Sequence, residues 1–220
     1  MFRTISIIAF LVTFLGIASH CIFSRQKLDD LFGRKRRLRI LDGLRVPGFL
    51  LTLLFLEQRL SLLGRLKKLV YLLALLCFVV LAVTGFYSVL VLGEHLSGYL
   101  LMLHATAAPV FAACLAVLAL LWAHGCRFNK ADWQCLRSLI PRQANEKALS
   151  EGSGLGQKIA FWLILLLALP LILSIVLSMF PLFGTAGQHF LLSTHRYSAL
   201  LFALAAIVHI YLIILAKMKK

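Results

Sequence analysis

Acidic residues are scarce in this chain: 8 Asp and Glu stand against 23 Lys and Arg, and charged residues of both signs fill only 14% of 220 positions. Glu94 is the only acidic residue outside two basic stretches, 25–68 and 127–158. No apolar run therefore carries the paired carboxylates or charge relay that a transporter places within its spans. The five cysteines (Cys21, Cys77, Cys114, Cys126, Cys135) form no C-x-x-C, no C-x-x-C-H and no ferredoxin-like run. That excludes a structural zinc, an iron–sulfur cluster and a covalently attached c-type haem, and leaves these residues as small buried hydrophobes. Polar sequence for a separate catalytic domain is lacking, and so is any internal repeat. The net charge of +15 sits in a few stretches between long apolar runs, which points to orientation in a membrane and away from nucleic-acid binding.

What the chain does have is apolar length. Hydrophobic residues make up 61% and mean hydropathy is +0.94, against ~45–50% apolar in soluble domains. Five segments, roughly 5–23, 69–92, 99–124, 159–182 and 197–216, reach the ~20 residues that cross a ~30 Å hydrocarbon layer. The expected fold is an all-α membrane protein of five transmembrane helices. All basic residues except Arg3 and Arg196 fall in the loops after spans one and three or in the tail. The positive-inside rule then gives an outside N-terminus and a cytoplasmic C-terminus. The competing reading takes residues 1–18 as a cleaved signal peptide, because a charged start and an apolar run precede Gly16-Ile17-Ala18. Residues 46–56 are too short to span and read as an interfacial helix with Pro47 in its first turn; the cluster at 34–39 reads as a basic cytoplasmic anchor. The outer connections, about 93–98 and 183–196, read as short loops. Two units follow, an N-terminal helix with its basic segment (1–64) and a four-helix bundle (65–220).

Seven histidines remain, and an ionisable group inside a bilayer is a functional hypothesis by default. His104 lies early in the third span and His195 just before the fifth, so both are near the outer surface. His209 follows His195 by 14 residues, about 21 Å of helix and ~40° short of four full turns, so both rings share one face. Two imidazoles on one face at that separation suit a helix bundle that carries haem, each with a partner on a facing helix. His104 is the partner at the outer level, with Ala105, Ala107 and Ala108 leaving room for a flat macrocycle. A bis-imidazole b-type haem between spans three and five is expected. At the inner level His20 matches His209 in depth, but the packing of span one against span five is not readable. His124 reads as interfacial, and His95 and His189 as solvated loop residues.

Four stretches carry a family resemblance: LAVTGFY (81–87), GYLLMLHATAAPVF (98–111), GQKIAFWLI (156–164) and HRYSALLFALAAIVHIYLIILAK (195–217). From about residue 65 to 217 the chain resembles the cytochrome b (gamma) subunit of membrane-bound formate dehydrogenases, a four-helix family shared with the cytochrome b subunits of membrane-bound hydrogenases. The resemblance implies an electron-transfer subunit in the bacterial cytoplasmic membrane. Such a subunit joins an outer-surface iron–sulfur or multihaem cytochrome subunit, and through it a catalytic oxidoreductase subunit, to the menaquinone or ubiquinone pool. It implies His104 and His195 as ligands of an outer haem b and His209 as ligand of an inner one. The family's second inner ligand, a histidine at the start of the helix that ends in the LAVTGFY-like run, has no counterpart near Lys68 to Leu72. The inner haem is then absent, or held by His20, or His209 serves a quinone instead. Arg196 is expected to pair with a haem propionate with help from Tyr197, or to snorkel to the headgroups. Quinone candidates are His209, Lys158, Gln157 and Tyr71. The alternative function is a haem-free anchor subunit of a redox complex.

Overall fold

The computed structural model describes residues 1–32, 62–138, 154–180 and 182–218; the interfacial helix expected at 46–56 and the basic cluster at 34–39 lie outside the described residues. Every regular element described is helical: α1 (Phe2–Phe32), α2 (Leu62–Tyr87) continued by a π-helical turn (Ser88–Leu92), α3 (Gly98–Ala123), α4 (Lys130–Ser138), α5 (Leu155–Ser178) and α6 (Gly184–Met218). Five of these are long and apolar enough to cross a membrane, over Phe2–Ile22, Gly64–Leu92, Gly98–Ala123, Leu155–Ser178 and Gly184–Leu215. All-helical structure is what a bilayer demands, because each backbone N–H and C=O must be satisfied within its own segment. Pro109 and Pro170 sit inside α3 and α5 without ending them.

One boundary differs from the sequence reading. Residues 184–196 are the first turns of α6, not a loop. Hydropathy locates the apolar part of a helix, and GTAGQHFLLSTHR is too polar to register although nothing after Gly187 breaks a helix. His189 is therefore an exposed helical residue, and the rigid helix needed to phase His195 with His209 is present.

The helices pack as two close hairpins, α2 with α3 and α5 with α6, which approach each other at far fewer points. Gly93 makes the first hairpin's turn: its φ of 72° is left-handed, and its N–H closes on the Ser88 carbonyl. Between the hairpins lie Phe78, Phe111 and Phe202, with ring centroids 5.8–6.2 Å apart and Phe111 edge-on to Phe202 at 84°. These rings join Cys77, Ala168 and Ala206 in the central core. In lipid the hydrophobic effect does not drive helix association, so interlocking shape and quadrupole-matched ring contacts hold the hairpins together. The outward faces are correspondingly apolar and exposed, Leu120 at 82% and Leu166 at 64%, as lipid contact requires.

Helix α1 lies against α6 and the end of α2. Phe2 meets Tyr197 edge-on at 5.2 Å and Phe10 meets Phe86 at 5.0 Å, and His20 reaches Tyr211. Thus α1 runs parallel to α6 and antiparallel to α2, and Met1 shares an end of the bundle with the 93–97 turn. Arg65, Lys67, Lys68, Arg127, Lys130, Arg137 and Lys158 belong to the other, basic end.

At the basic end a short amphipathic helix, unread in the sequence, folds back onto α5. Asn129 and Asp132 cap α4 reciprocally, each side-chain oxygen accepting the other's backbone N–H at 2.8 and 2.9 Å, which is a capping box. Lys158 Nζ donates to Asp132 Oδ2 at 2.6 Å, and Trp162 Nε1 donates to the Cys126 carbonyl at 2.9 Å. The Asn129 N–H, and after it Lys158, hold the Asp132 carboxyl below its ordinary range. A depressed carboxylate stabilises the fold above its unfolded value of about 3.9 and ceases to do so as pH falls through the folded value. Amide-exchange protection of residues 127–138 is therefore expected to hold from neutral pH down to about 4 and to fall on further acidification. Asp132→Asn should lose it at neutral pH; equal protection in variant and parent would exclude this tie.

Candidate haem site

His104 stands in the second turn of α3 and His195 in the fourth turn of α6, each at the end of the bundle that carries the 93–97 turn. Each ring is fixed through Nδ1. His195 Nδ1 lies 3.0 Å from the Leu171 carbonyl; a carbonyl only accepts, so the proton is on Nδ1. His104 Nδ1 lies 2.8 Å from Thr84 Oγ1, and the Thr84 hydroxyl hydrogen is committed to the Val80 carbonyl at 2.7 Å. The hydroxyl oxygen therefore accepts, and His104 too is protonated on Nδ1. Both rings are left with a lone pair on Nε2, which makes no hydrogen bond among the described residues. This is the state of a metal-ligating imidazole, whose second nitrogen donates to a fixed acceptor that sets its tautomer and orientation.

The rings belong to different hairpins and lie within electrostatic reach of each other. Gly85 makes room for the first: a Cβ there would come 3.4 Å from His104 Cε1. Two imidazoles with free Nε2 lone pairs, one on each of two loosely joined hairpins, are a donor set that fits a haem. They would hold its iron through those two nitrogens.

Arg196 Nη2 lies 2.5 Å from His95 Nδ1. A guanidinium only donates, so His95 accepts, and the 93–97 turn is tied to α6 one residue beyond His195. His95 was expected to be solvated; it is exposed but partnered. Arg3 also reaches this turn, its Nη1 3.2 Å from where a Gly93 Cβ would be. The two basic residues left on this side by the charge rule thus both reach the 93–97 turn, at the end of the bundle that carries the histidine pair. The ring of Tyr197, the residue expected to assist Arg196, packs edge-on against Phe2.

Deeper in the bundle the arrangement changes. His209 lies on the face of α6 that carries His195, with Phe202 midway between them, and its Nδ1 is buried with no partner among the described residues. His20 does come to α6, but to Tyr211: Nδ1 lies 2.5 Å from the phenol oxygen and the rings meet edge-on, with Cys21 Sγ 3.6 Å away. Tyr211 is two residues, about 200° of helix, beyond His209, so the structure does not bring His20 and His209 together on one face. On the opposite hairpin this depth is filled by Ala74, Cys114 and Leu118 with Val70, Tyr71 and Trp122, and the Tyr71 and Trp122 rings are 5.6 Å apart. Of the other quinone candidates, Gln157 donates to the Leu212 carbonyl at 3.2 Å and Lys158 is paired with Asp132. His124 is exposed at the end of α3.

Thr84 and Leu171 are the site residues that sequence reasoning missed. A carbonyl carries no sequence signal. Thr84 could have been found: within LAVTGFY it is the one aliphatic hydroxyl, followed by the glycine that lets a ring approach.

Five helices able to span a membrane and two anchored imidazoles on different hairpins make a helical membrane bundle whose donor set fits a haem. The model of the prokaryotic cytochrome b561 family matches residues 61–220, and the chain belongs to that family. It is a multi-pass membrane protein for electron transfer by b-type haem. The match begins just before α2, so α1 lies outside it. Neither the curated proteins nor the solved structures give a match.

Proposed function

We propose that the chain binds one haem b per polypeptide, with His104 and His195 as axial ligands, and passes electrons between an outer-surface redox subunit and the membrane quinone pool. The observation that carries this reading is the matched anchoring of the two rings, Nδ1 of each bonded to an acceptor and Nε2 of each left to a metal. Haem, when bound, supplies the chemistry by taking up and releasing one electron; the protein supplies placement and tuning. Arg196 and Arg3 are placed to hold propionates, for which a guanidinium offers paired donors. The His95 contact holds Arg196 above the ligand.

The inner level supports a different use. The apolar cluster around Ala74, Cys114 and Leu118 stands where a second axial ligand would come from, and among the described residues His209 has no Nδ1 acceptor such as the other two histidines have. We therefore assign no second haem and place the quinone headgroup near His209, toward the basic end. That end faces the cytoplasm of a bacterium by the charge rule, with Met1 outside. The outer partner is an iron–sulfur or multihaem cytochrome subunit of a larger oxidoreductase, and lipid covers the apolar outer faces.

The test is a haem count on the detergent-purified, haem-supplied chain by pyridine haemochrome. About one haem b per polypeptide is expected. A value near two would restore an inner haem with His209 as ligand, and zero in a folded preparation would turn the reading to the anchor subunit.

A further inference from the structure

The structure assigns Thr84 as the residue that positions and tunes His104, with Gly85 as the platform beneath the ring. This rests on the proposed ligation of haem by His104 and His195. The Thr84 hydroxyl is held on both sides. It donates backward to the Val80 carbonyl at 2.7 Å, with Leu81 at 3.3 Å, and so presents a lone pair to His104 Nδ1 at 2.8 Å. Thr84 is 4% exposed, so water cannot replace it. The residue after it has no side chain, and His104 Cε1 lies 3.4 Å from where a Cβ would stand; a Cβ alone would just touch the ring, leaving little room for a longer side chain.

Ser88 continues the arrangement. It is buried, and its hydroxyl donates to the Thr84 carbonyl at 3.2 Å where α2 passes into the π-helical turn 88–92. A π turn interrupts the regular helical ladder and is often found at functional sites. Here it follows directly on the residues that carry the ligand's acceptor. Thr84 thus touches the imidazole of the neighbouring helix, and Ser88, one turn on, bonds to the Thr84 carbonyl.

An accepted Nδ1–H bond makes the imidazole a stronger donor to iron. A stronger donor favours the ferric state, which carries more positive charge, so the bond lowers the midpoint potential. The two axial ligands are also unequal. His195 donates to a backbone carbonyl, which no substitution removes, whereas His104 donates to a side chain that one substitution can delete. Thr84 is therefore the adjustable half of the pair.

The experiment compares Thr84→Val, which keeps the shape and loses the oxygen, with Thr84→Ser, which keeps the oxygen. Redox titration and haem-transfer kinetics are read on the purified haem protein. Thr84→Val should retain the b-type spectrum with a higher midpoint potential and lose haem about 10–100-fold faster; Thr84→Ser should match the parent. Should Thr84→Val not fold, electron–nuclear double resonance on the ferric parent must still show two hydrogen-bonded exchangeable imidazole protons; one alone would overturn the assignment. A folded Thr84→Val with unchanged potential and unchanged haem loss would overturn it too while leaving His104 as ligand, whereas full haem retention in His104→Ala would overturn the ligation itself.

Discussion

Replacing either His104 or His195 by alanine is expected to abolish the b-type absorbance of the purified chain, the largest single effect foreseen for this protein. Each ring would supply one bond to the iron, and neither helix offers a substitute: on α6 His189 is exposed, about 9 Å before His195 and about 120° around the helix from it, and His209 lies about 21 Å further along the axis, while the nearest on α3 is His124 at its far end. The polypeptide should survive the change. Its hairpins are joined by the Phe78, Phe111 and Phe202 cluster about two turns deeper, and packing there does not depend on the ligand pair. Circular dichroism should accordingly show undiminished helix while haem falls to background. Glycine at either position, given free imidazole during haem loading, should recover part of the spectrum, because the space vacated is that of an imidazole. Haem at the parent's level in His104→Ala or His195→Ala would refute the ligand pair, whatever the fold.

How far these features could be read beforehand depended on what sequence encodes. Depth along a helix follows from residue count, so the five spans, the common level of His104 and His195 and the shared face of His195 and His209 were all legible. Azimuth relative to a neighbouring helix does not follow from residue count. His20 has the depth of His209, yet α1 approaches α6 on the Tyr211 side, and nothing in the apolar run 2–22 marks that choice. Thr84 escaped notice for a related reason: a threonine in an apolar helix ordinarily satisfies its hydroxyl on the carbonyl four residues back, and it does so here. Only the structure shows that the same oxygen also serves a histidine twenty positions away in the chain. The α4 segment was legible and passed over. Asn129 and Asp132 have capping-box spacing, but nine residues with a polar average do not stand out against spans of more than twenty.

His209→Ala is the second decisive variant, because the three readings of the inner level give three different results. If His209 contacts the quinone, the variant keeps one haem b per chain, an unaltered reduced-minus-oxidised spectrum and a quinone-linked turnover lowered about tenfold, the value of one buried hydrogen bond of ~1.4 kcal/mol. If it ligates a second haem, the haem count falls from two to one and the lost component has its own midpoint potential. If it is only a packed side chain, neither haem nor turnover changes. The first outcome is expected on three observations taken together. The Nδ1 of His209 is buried without a partner among the described residues, and such a group is costly unless a ligand or water completes it. The facing hairpin at this depth offers an apolar cluster and Tyr71 rather than an imidazole. His20, the one histidine that shares the depth, is engaged with Tyr211. His20→Ala is therefore expected to leave haem stoichiometry untouched, and loss of one haem in that variant would make α1 a contributor to the cofactor site.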